Sequence, residues 1–316
     1  MSKIVLAADL GGTNLRIATV SEDGTRIHRA RASTPVSRSR QEIIDSIVLL
    51  AEECRRTSGT DEIVAFGVAA PAIISSDDRT IFSSPNLPDL NGLDLSSVLS
   101  ERLGIPVLLE NDANAAALGE NWLGASRSTK NSICVTLGTG VGGGLILDGC
   151  LVRGVDGTAG EVGHTMVEPD GHPCGCGSVG CLEQYSSATA IVRLANQLTP
   201  MYPESPIAKL SVISATDVYD AGMKNDELSR EVFRAFGTYL GMALAGLINV
   251  LNPEVIVLGG GVSAGWDCFI DHVREQIRMR AFREPGERVK LIRAELGDDA
   301  GILGSAKLAF EMVKGL

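Results

Sequence analysis

Residues 4–14 read I-V-L-A-A-D-L-G-G-T-N, and residues 132–147 read S-I-C-V-T-L-G-T-G-V-G-G-G-L-I-L. Each is an apolar, β-prone run broken by glycines and then resumed. In the first copy, residues 4–9 form a strand, 10–14 a turn and 16–20 a second strand; in the second copy the divisions are 132–137, 138–144 and 145–147. The same device recurring about half a chain apart implies an internal duplication facing a central cleft. Outward from the first copy, a strand at 26–32 completes a meander. Residues 41–57 then carry Ile43, Ile44, Ile47, Leu50, Ala51 and Cys54 at helical spacing. A strand at 63–69, a helix at 95–103 and a strand at 107–109 follow. Beyond the second copy come helices at 188–198, 228–251 and 266–280, strands at 255–258 and 289–294, and a last helix at 302–313. This ordering predicts an α/β layer architecture, with the proline-rich stretch 199–214 as an exposed loop.

The totals narrow the function. The net charge of −11 opposes nucleic-acid phosphate and excludes general DNA or RNA binding. No apolar run reaches the roughly 20 residues needed to span a bilayer. Residues 1–10 already read as a strand entering a turn, with no signal peptide, so the expected location is the cytoplasm with no membrane partner. A polyanionic ligand on such a chain must rely on backbone N–H groups, helix N-termini and a metal ion.

Three glycine turns follow apolar strands. In Asp9-Leu10-Gly11-Gly12-Thr13-Asn14, glycines permit close backbone approach to an anion, Thr13 and Asn14 add donors, and Asp9 is a carboxylate suited to Mg²⁺. The second turn, with Gly138, Thr139 and Gly140, contains a formal G-x-G-x-x-G, but a strand follows it where a dinucleotide fingerprint needs a helix. No G-x-x-x-x-G-K-[ST] loop is present. The third turn, Gly259-Gly260-Gly261, runs from a strand towards a helix and suits a nucleoside or phosphate.

Glu110-Asn111-Asp112 closes a buried strand and opens a helix with Asn114 and three alanines. A carboxylate there is placed to take a proton from an attacking hydroxyl, while Asp112 or Asn111 can also cap the helix. Of the seven cysteines, Cys54, Cys134, Cys150 and Cys268 read as small buried hydrophobes. Cys174, Cys176 and Cys181 lie in a glycine-rich loop and, with one imidazole, make the Cys₃His set of a structural Zn²⁺ site. Spacing leaves His164 and His172 both open as the fourth ligand.

In combination these motifs resemble the ROK family of sugar kinases and repressors, within the actin-like kinase superfamily, over nearly the whole chain. The most specific stretch is C-x-C-G-x-x-G-C-L-E, residues 174–183. The resemblance implies an α/β fold of two ribonuclease-H-like lobes around a central cleft: a smaller lobe of residues 1–118 and 301–316, and a larger one of 119–300 carrying the zinc loop. It implies an ATP-dependent hexose kinase of the glucokinase-like branch, making glucose 6-phosphate, with Mg²⁺ and structural Zn²⁺ and a homodimeric assembly. Asp112 would be the base. Asn86, Asn111, Glu161, His164 and Glu183 would hold the sugar, with His164 also joining Cys174, Cys176 and Cys181 on zinc. Gly11, Gly12, Thr13, Asn14, Gly138, Thr139 and Gly140 would bind ATP phosphates, and Gly259, Gly260 and Gly261 the adenosine side. Two departures stand out. Pro85-Asn86-Leu87-Pro88 is followed by Asp89-Leu90 where many members carry Gly-Trp, and Asn14 replaces a frequent lysine, as in the glucokinase and N-acetylmannosamine kinase branches alike. Kinases for N-acetylmannosamine, fructose or allose are the alternatives within the class. A sugar-responsive repressor is the alternative outside it, disfavoured by the acidic charge and by the eight residues that precede Asp9.

Overall fold

Alternation along the first strand decides how the first unit is layered. Leu6, Ala8 and Leu10 join one buried cluster, with residues of helices α1 (Arg40–Thr57) and α2 (Leu95–Leu103). Val5 and Ala7 join another, with Ile302, Leu303, Ala306 and Phe310 of the last helix, α9 (Ala300–Gly315). Period-2 geometry therefore sandwiches the sheet between α1/α2 and α9 and turns Asp9 to the α9 side.

The structure is a computed structural model and describes residues 3–37, 39–59, 62–75 and 80–315. The chain divides into two compact units, Met1–Lys130 with Gly144–Gly160 and Glu295–Leu316, and Asn131–Gly143 with Glu161–Ala294. The first unit's sheet comprises β1 (Lys3–Leu10), β2 (Asn14–Ser21), β3 (Arg26–Ser33), β4 (Glu62–Ala70) and β7 (Val107–Asn111), beside a small hairpin, β5 (Ile73–Ile74) and β6 (Ile81–Ser83). Its order is β3-β2-β1-β4-β7, with β1–β2–β3 antiparallel and β4 and β7 added parallel. Helix α3 (Asp112–Trp122) follows β7 directly.

The second sheet comprises β8 (Ser132–Leu137), β9 (Val141–Leu147), β10 (Cys150–Leu151), β11 (Val255–Gly259) and β12 (Lys290–Arg293), ordered β10-β9-β8-β11-β12. Position by position this repeats the first sheet, and β11 is again parallel to β8. The duplication read from the two glycine turns is thus present in the strand order. Helices α4 (Ala188–Leu198), α5 (Ala215–Gly222), α6 (Glu227–Leu251), α7 (Trp266–Arg280) and α8 (Arg283–Arg288) complete the second unit. Phe233 and Phe236 of α6 and Phe269 of α7 are fully buried and meet ring to ring at its core.

Several expectations need correction. β9 begins at Val141, so Gly142, Gly143 and Gly144 are strand and not turn; Gly144 packs against Ala117 of α3, where a Cβ would come within 2.5 Å of the alanine side chain. The lobe boundaries differ for the same reason. Ile146 clusters with Leu118 of α3 and Leu308 of α9, which brings residues 144–160 into the first unit and keeps α3 there. Helices α5 and α8 were not foreseen. The stretch 199–214 is not a plain exposed loop: it holds two 3-10 turns and buries Ser205, Ile207 and Ile213. Helix α6 is long and apolar enough to cross a membrane, but its buried Phe233, Phe236, Leu240, Leu244 and Ile248 make it a core helix of its unit. Cys150 is exposed, whereas Cys54 and Cys134 are buried as expected.

Helix α9 touches α3 backbone to backbone. A Cβ on Gly304 would lie 1.7 Å from the Ala115 carbonyl oxygen, and one on Gly119 2.3 Å from that of Ala300. Gly304→Ala should therefore force the helices apart, lose roughly 1–3 kcal/mol and lower the thermal midpoint by roughly 2–10 °C, read by calorimetry. An unchanged midpoint would show that the close approach is not needed.

Candidate functional site

In the first unit, the candidate residues gather at the ends of β1 and β7. The turn after β1 is held from below: Gly11 N–H donates to Asn14 O at 2.8 Å, Thr34 Oγ to Gly11 O at 2.7 Å, and Thr34 N–H to Thr13 O at 2.8 Å. Asp9 lies against Gly301 in the first turn of α9, where a Cβ would stand 3.3 Å from its carboxyl carbon. Arg16 sits 3.7 Å from Asp9 Oδ2 and donates to Asp298 Oδ2 at 3.0 Å. Burial raises the Asp9 carboxyl above its ordinary value, the Arg16 guanidinium opposes this, and Asp298 adds to it. A partly buried carboxylate beside a second one, next to a glycine turn, fits a Mg²⁺ held mainly by a nucleotide's phosphates.

Asn86 is exposed, and its Cβ lies 3.4 Å from the position a Cβ would take on Gly12. The loop that carries it is anchored without a tryptophan. Leu87 and Leu90 are fully buried, Ser84 N–H donates to Asn91 Oδ1, and Arg40 donates to Asp89 O and Asn91 O.

At the end of β7, Asn111 caps α3: its Oδ1 accepts from Ala113 N–H at 2.9 Å and Asn114 N–H at 3.1 Å. One of its Nδ2 hydrogens goes to Ala72 O at 3.2 Å. Asn111 is thus the cap, and Asp112, the first helical residue, is exposed with its Oδ1 also accepting from Ala113 N–H at 2.9 Å. Behind them, Glu110 is 3% exposed and paired with Arg153 at 2.7 Å.

In the second unit, the second glycine turn is tied to the start of α4. Ala188 N–H donates to Gly138 O and Thr189 Oγ to Thr139 O, both at 2.8 Å. Glu183 Oε2 accepts from Val141 N–H at 3.0 Å, and only glycine fits at 140, since a Cβ would meet that oxygen at 2.1 Å. Gly260 has φ +81° and lies so close to Leu137 O that a Cβ would come within 2.4 Å. The second and third turns are thereby side by side at the ends of neighbouring strands.

The metal-ligand candidates converge. The ligand atoms of His164, Cys174, Cys176 and Cys181 all lie within 4.8 Å of one another. Cys174 Sγ is 3.6 Å from His164 Nδ1, and Cys176 Sγ 3.6 Å from Cys181 Sγ. A tetrahedral zinc with Zn–S of about 2.3 Å and Zn–N of about 2.0 Å has S···S and S···N edges of about 3.8 Å and about 3.5 Å, so the donor set and its spacing fit. His164 Nε2 faces Glu161 at 3.9 Å. His172 is elsewhere, its ring against Tyr185. Sequence reasoning missed a support on this loop: Gln184 donates to Cys174 Sγ at 3.7 Å and is itself held by Arg193 of α4. A recess of about 860 Å³ between α7, α8 and β12 contains none of the candidate residues.

A family model described as the ROK family matches residues 5–312. The glucokinase of Thermotoga maritima is 35% identical over 98% of this chain and 98% of its own. The crystal structure of a ROK family glucokinase from Streptomyces griseus in complex with glucose and AMPPNP matches with a TM-score of 0.82 and 33% identity over 98% of this chain and 99% of that one. A ROK family transcriptional regulator, a homologue of the E. coli MLC protein, matches with a TM-score of 0.90 and 27% identity, covering all of this chain and 80% of that one. The match runs through both sheets and every glycine turn, and the fold is that of the actin-like ATPases; the chain belongs to the ROK family.

Proposed function

We propose that this protein is an ATP-dependent glucokinase, transferring the γ-phosphoryl group of ATP to the 6-hydroxyl of glucose. The observation that carries the reading is Asp112: an exposed carboxylate on the first residue of a helix whose cap is supplied by its neighbour Asn111. The similarity to full-length glucokinases supports glucose among the hexoses. In the reaction, the Asp112 carboxylate takes the proton of the 6-hydroxyl as that oxygen bonds to the γ-phosphorus. The bond to the bridging oxygen breaks and ADP leaves with its electron pair. Asn86, Asn111, Glu161, His164 and Glu183 orient the sugar, and the first two glycine turns offer N–H groups to the phosphates. The third turn takes the adenosine side. Mg²⁺, near Asp9, would neutralise charge on the transferred group. Zn²⁺ on His164, Cys174, Cys176 and Cys181 would fix the loop so that Glu161 and His164 hold their places beside the sugar.

The second reading, a sugar-sensing regulator, is favoured by the fold match to a ROK transcriptional regulator, and it has no use for a proton acceptor at Asp112. A coupled assay across glucose, N-acetylmannosamine, fructose and allose separates the readings. Turnover fastest with glucose is expected, a faster alternative sugar would reassign the substrate, and no turnover with any hexose would favour the regulator.

Three outcomes follow from the residue assignments. Asp112→Asn should lower kcat by roughly 10²–10⁴-fold while the Kd for glucose stays near that of the parent, by calorimetry; near-normal turnover would remove Asp112 as the base. Protein prepared without chelator should contain one zinc per chain by elemental analysis, and Cys176→Ser should raise the sugar KM more than the ATP KM. A metal-free and fully active sample would end the zinc assignment. Asp9→Asn tests a trade between stability and activity. Because the fold raises the Asp9 value, the native state binds the proton more tightly, and stability falls as pH rises from the ordinary carboxylate value through the raised one. At neutral pH, Asp9→Asn should raise the thermal midpoint by about 1–3 °C while cutting kcat by about 10²-fold; a lowered midpoint would contradict the burial argument.

A further inference from the structure

Glu110 lies one residue before the cap of α3 and two before Asp112, and its side chain is 4% exposed. Its two oxygens accept from four donors. Oε1 takes the Asn111 N–H and Asn114 Nδ2, both at 3.0 Å, and Oε2 takes Arg153 Nε at 2.8 Å and Nη2 at 2.7 Å. Only an ionised carboxylate can accept all four. The three attachment points are the end of β7, the first turn of α3, and the loop after β10.

We infer that Glu110 and Arg153 form a positioning pair that fixes the strand-to-helix junction bearing Asp112 and pins the loop that runs on to Glu161. The inference rests on the reading of Asp112 as the base. Two observations separate it from a purely structural role. Glu110 has no hydrogen to donate, so Asn114 must turn its Nδ2 towards it. The other end of that amide, Oδ1, is then buried without a hydrogen-bond partner on a residue 2% exposed. Leaving that carbonyl unmet by protein groups lowers the stabilising worth of the network, and an ion pair with one member 39% exposed adds little stability of its own. The second observation is the loop. Residues 153–160 include Gly154, Gly157 and Gly160 at positive φ, and the segment closes on itself through Ala159 N–H to Arg153 O at 3.0 Å. Such a glycine-rich loop has many conformations open to it, and the Arg153 side chain ties it to the element that carries the candidate base. Neither residue touches substrate in this scheme; both act through the placement of Asp112 and of the loop.

The test compares Glu110→Gln, Arg153→Met, the double variant Glu110→Gln/Arg153→Met, and Arg153→Lys, on the full chain, with whichever hexose the parent phosphorylates fastest. Each single variant leaves one uncompensated member, whereas the double leaves no unpaired charge and so should regain most of the lost thermal stability. Positioning predicts that the double variant nonetheless keeps kcat down by roughly 10²-fold, with both KM values within about 3-fold of the parent. It also predicts faster amide exchange at Ala113 and Asn114 at equal global stability. Arg153→Lys, at a side chain 39% exposed and so expected to fold, should give an intermediate kcat. A double variant with regained stability and parental kcat would overturn the inference, leaving the pair merely structural. If the double variant does not fold, parental kcat in Arg153→Lys and Arg153→Met would overturn it equally. A parent that prefers another hexose to glucose changes the substrate and leaves this test intact; a parent inactive on every hexose removes both the base and its positioning pair.

Discussion

Helix α9 meets α3 at backbone distance at Gly304 and Gly119, and that contact sets both candidate carboxylates of the first unit, Asp9 and Asp112. Gly304 lets α9 approach the Ala115 carbonyl, Gly119 lets the helices meet a second time, and a Cβ on Gly67 of β4 would strike Ser305 O at 2.0 Å. Helices that touch at backbone distance have little freedom to slide, because the nearest alternative arrangements clash. Fixing α3 fixes Asp112 at its start. Fixing α9 fixes Gly301 against Asp9. A segment from the end of the chain thus orders residues from its beginning and its middle, and Ser305 completes the seat by donating to Ala8 O at 3.0 Å.

Within this acidic chain, carboxylates of the same chemistry have been given different tasks by their surroundings. Glu120 is fully buried and takes backbone N–H groups from Ala125, Glu295 and Leu296, so it works as a splice between α3 and the segment entering α9. Glu110 is buried with a cation. Asp9 is partly buried with a cation at longer reach and keeps a raised carboxyl value. Asp112 is exposed. The gradient runs from complete burial to exposure, and the elements packed around each carboxylate decide where it falls.

The strands and long helices were legible because their apolar spacing is a local property: β1, β2, α1, α4 and α7 lie where periodicity placed them. The Cys₃His set was legible because its thiols are near one another in sequence. Its fourth member was not, since spacing alone could not choose between His164 and His172; the fold chooses by stacking His172 on Tyr185. Residues whose meaning depends on distant partners were hidden. Glu110 was visible as part of a motif, but Arg153, 43 positions on, gave no signal, and neither did the hydrogen bond from Val141 N–H to Glu183, 42 positions away. The start of β9 was hidden because three successive glycines read as a turn, whereas here they are strand, and Gly144 packs without a side chain against α3. Leu90 shows the converse: it is fully buried where the resemblance led one to expect an aromatic anchor, and no local pattern marks it as a substitute.

The interrupted course of the chain has a consequence for biosynthesis. The first unit draws its last helix from residues that follow all of Glu161–Ala294. A ribosome releases those residues only after the entire second unit has been made. Until then, the face of the first sheet formed by Val5, Ala7, Ala18 and Val20 has no α9 to cover it. The nascent chain must carry an exposed apolar sheet through most of its own synthesis, a state prone to sticking to other chains. Folding of the first unit therefore finishes last although its synthesis begins first, and shielding of that face during translation falls to the cell.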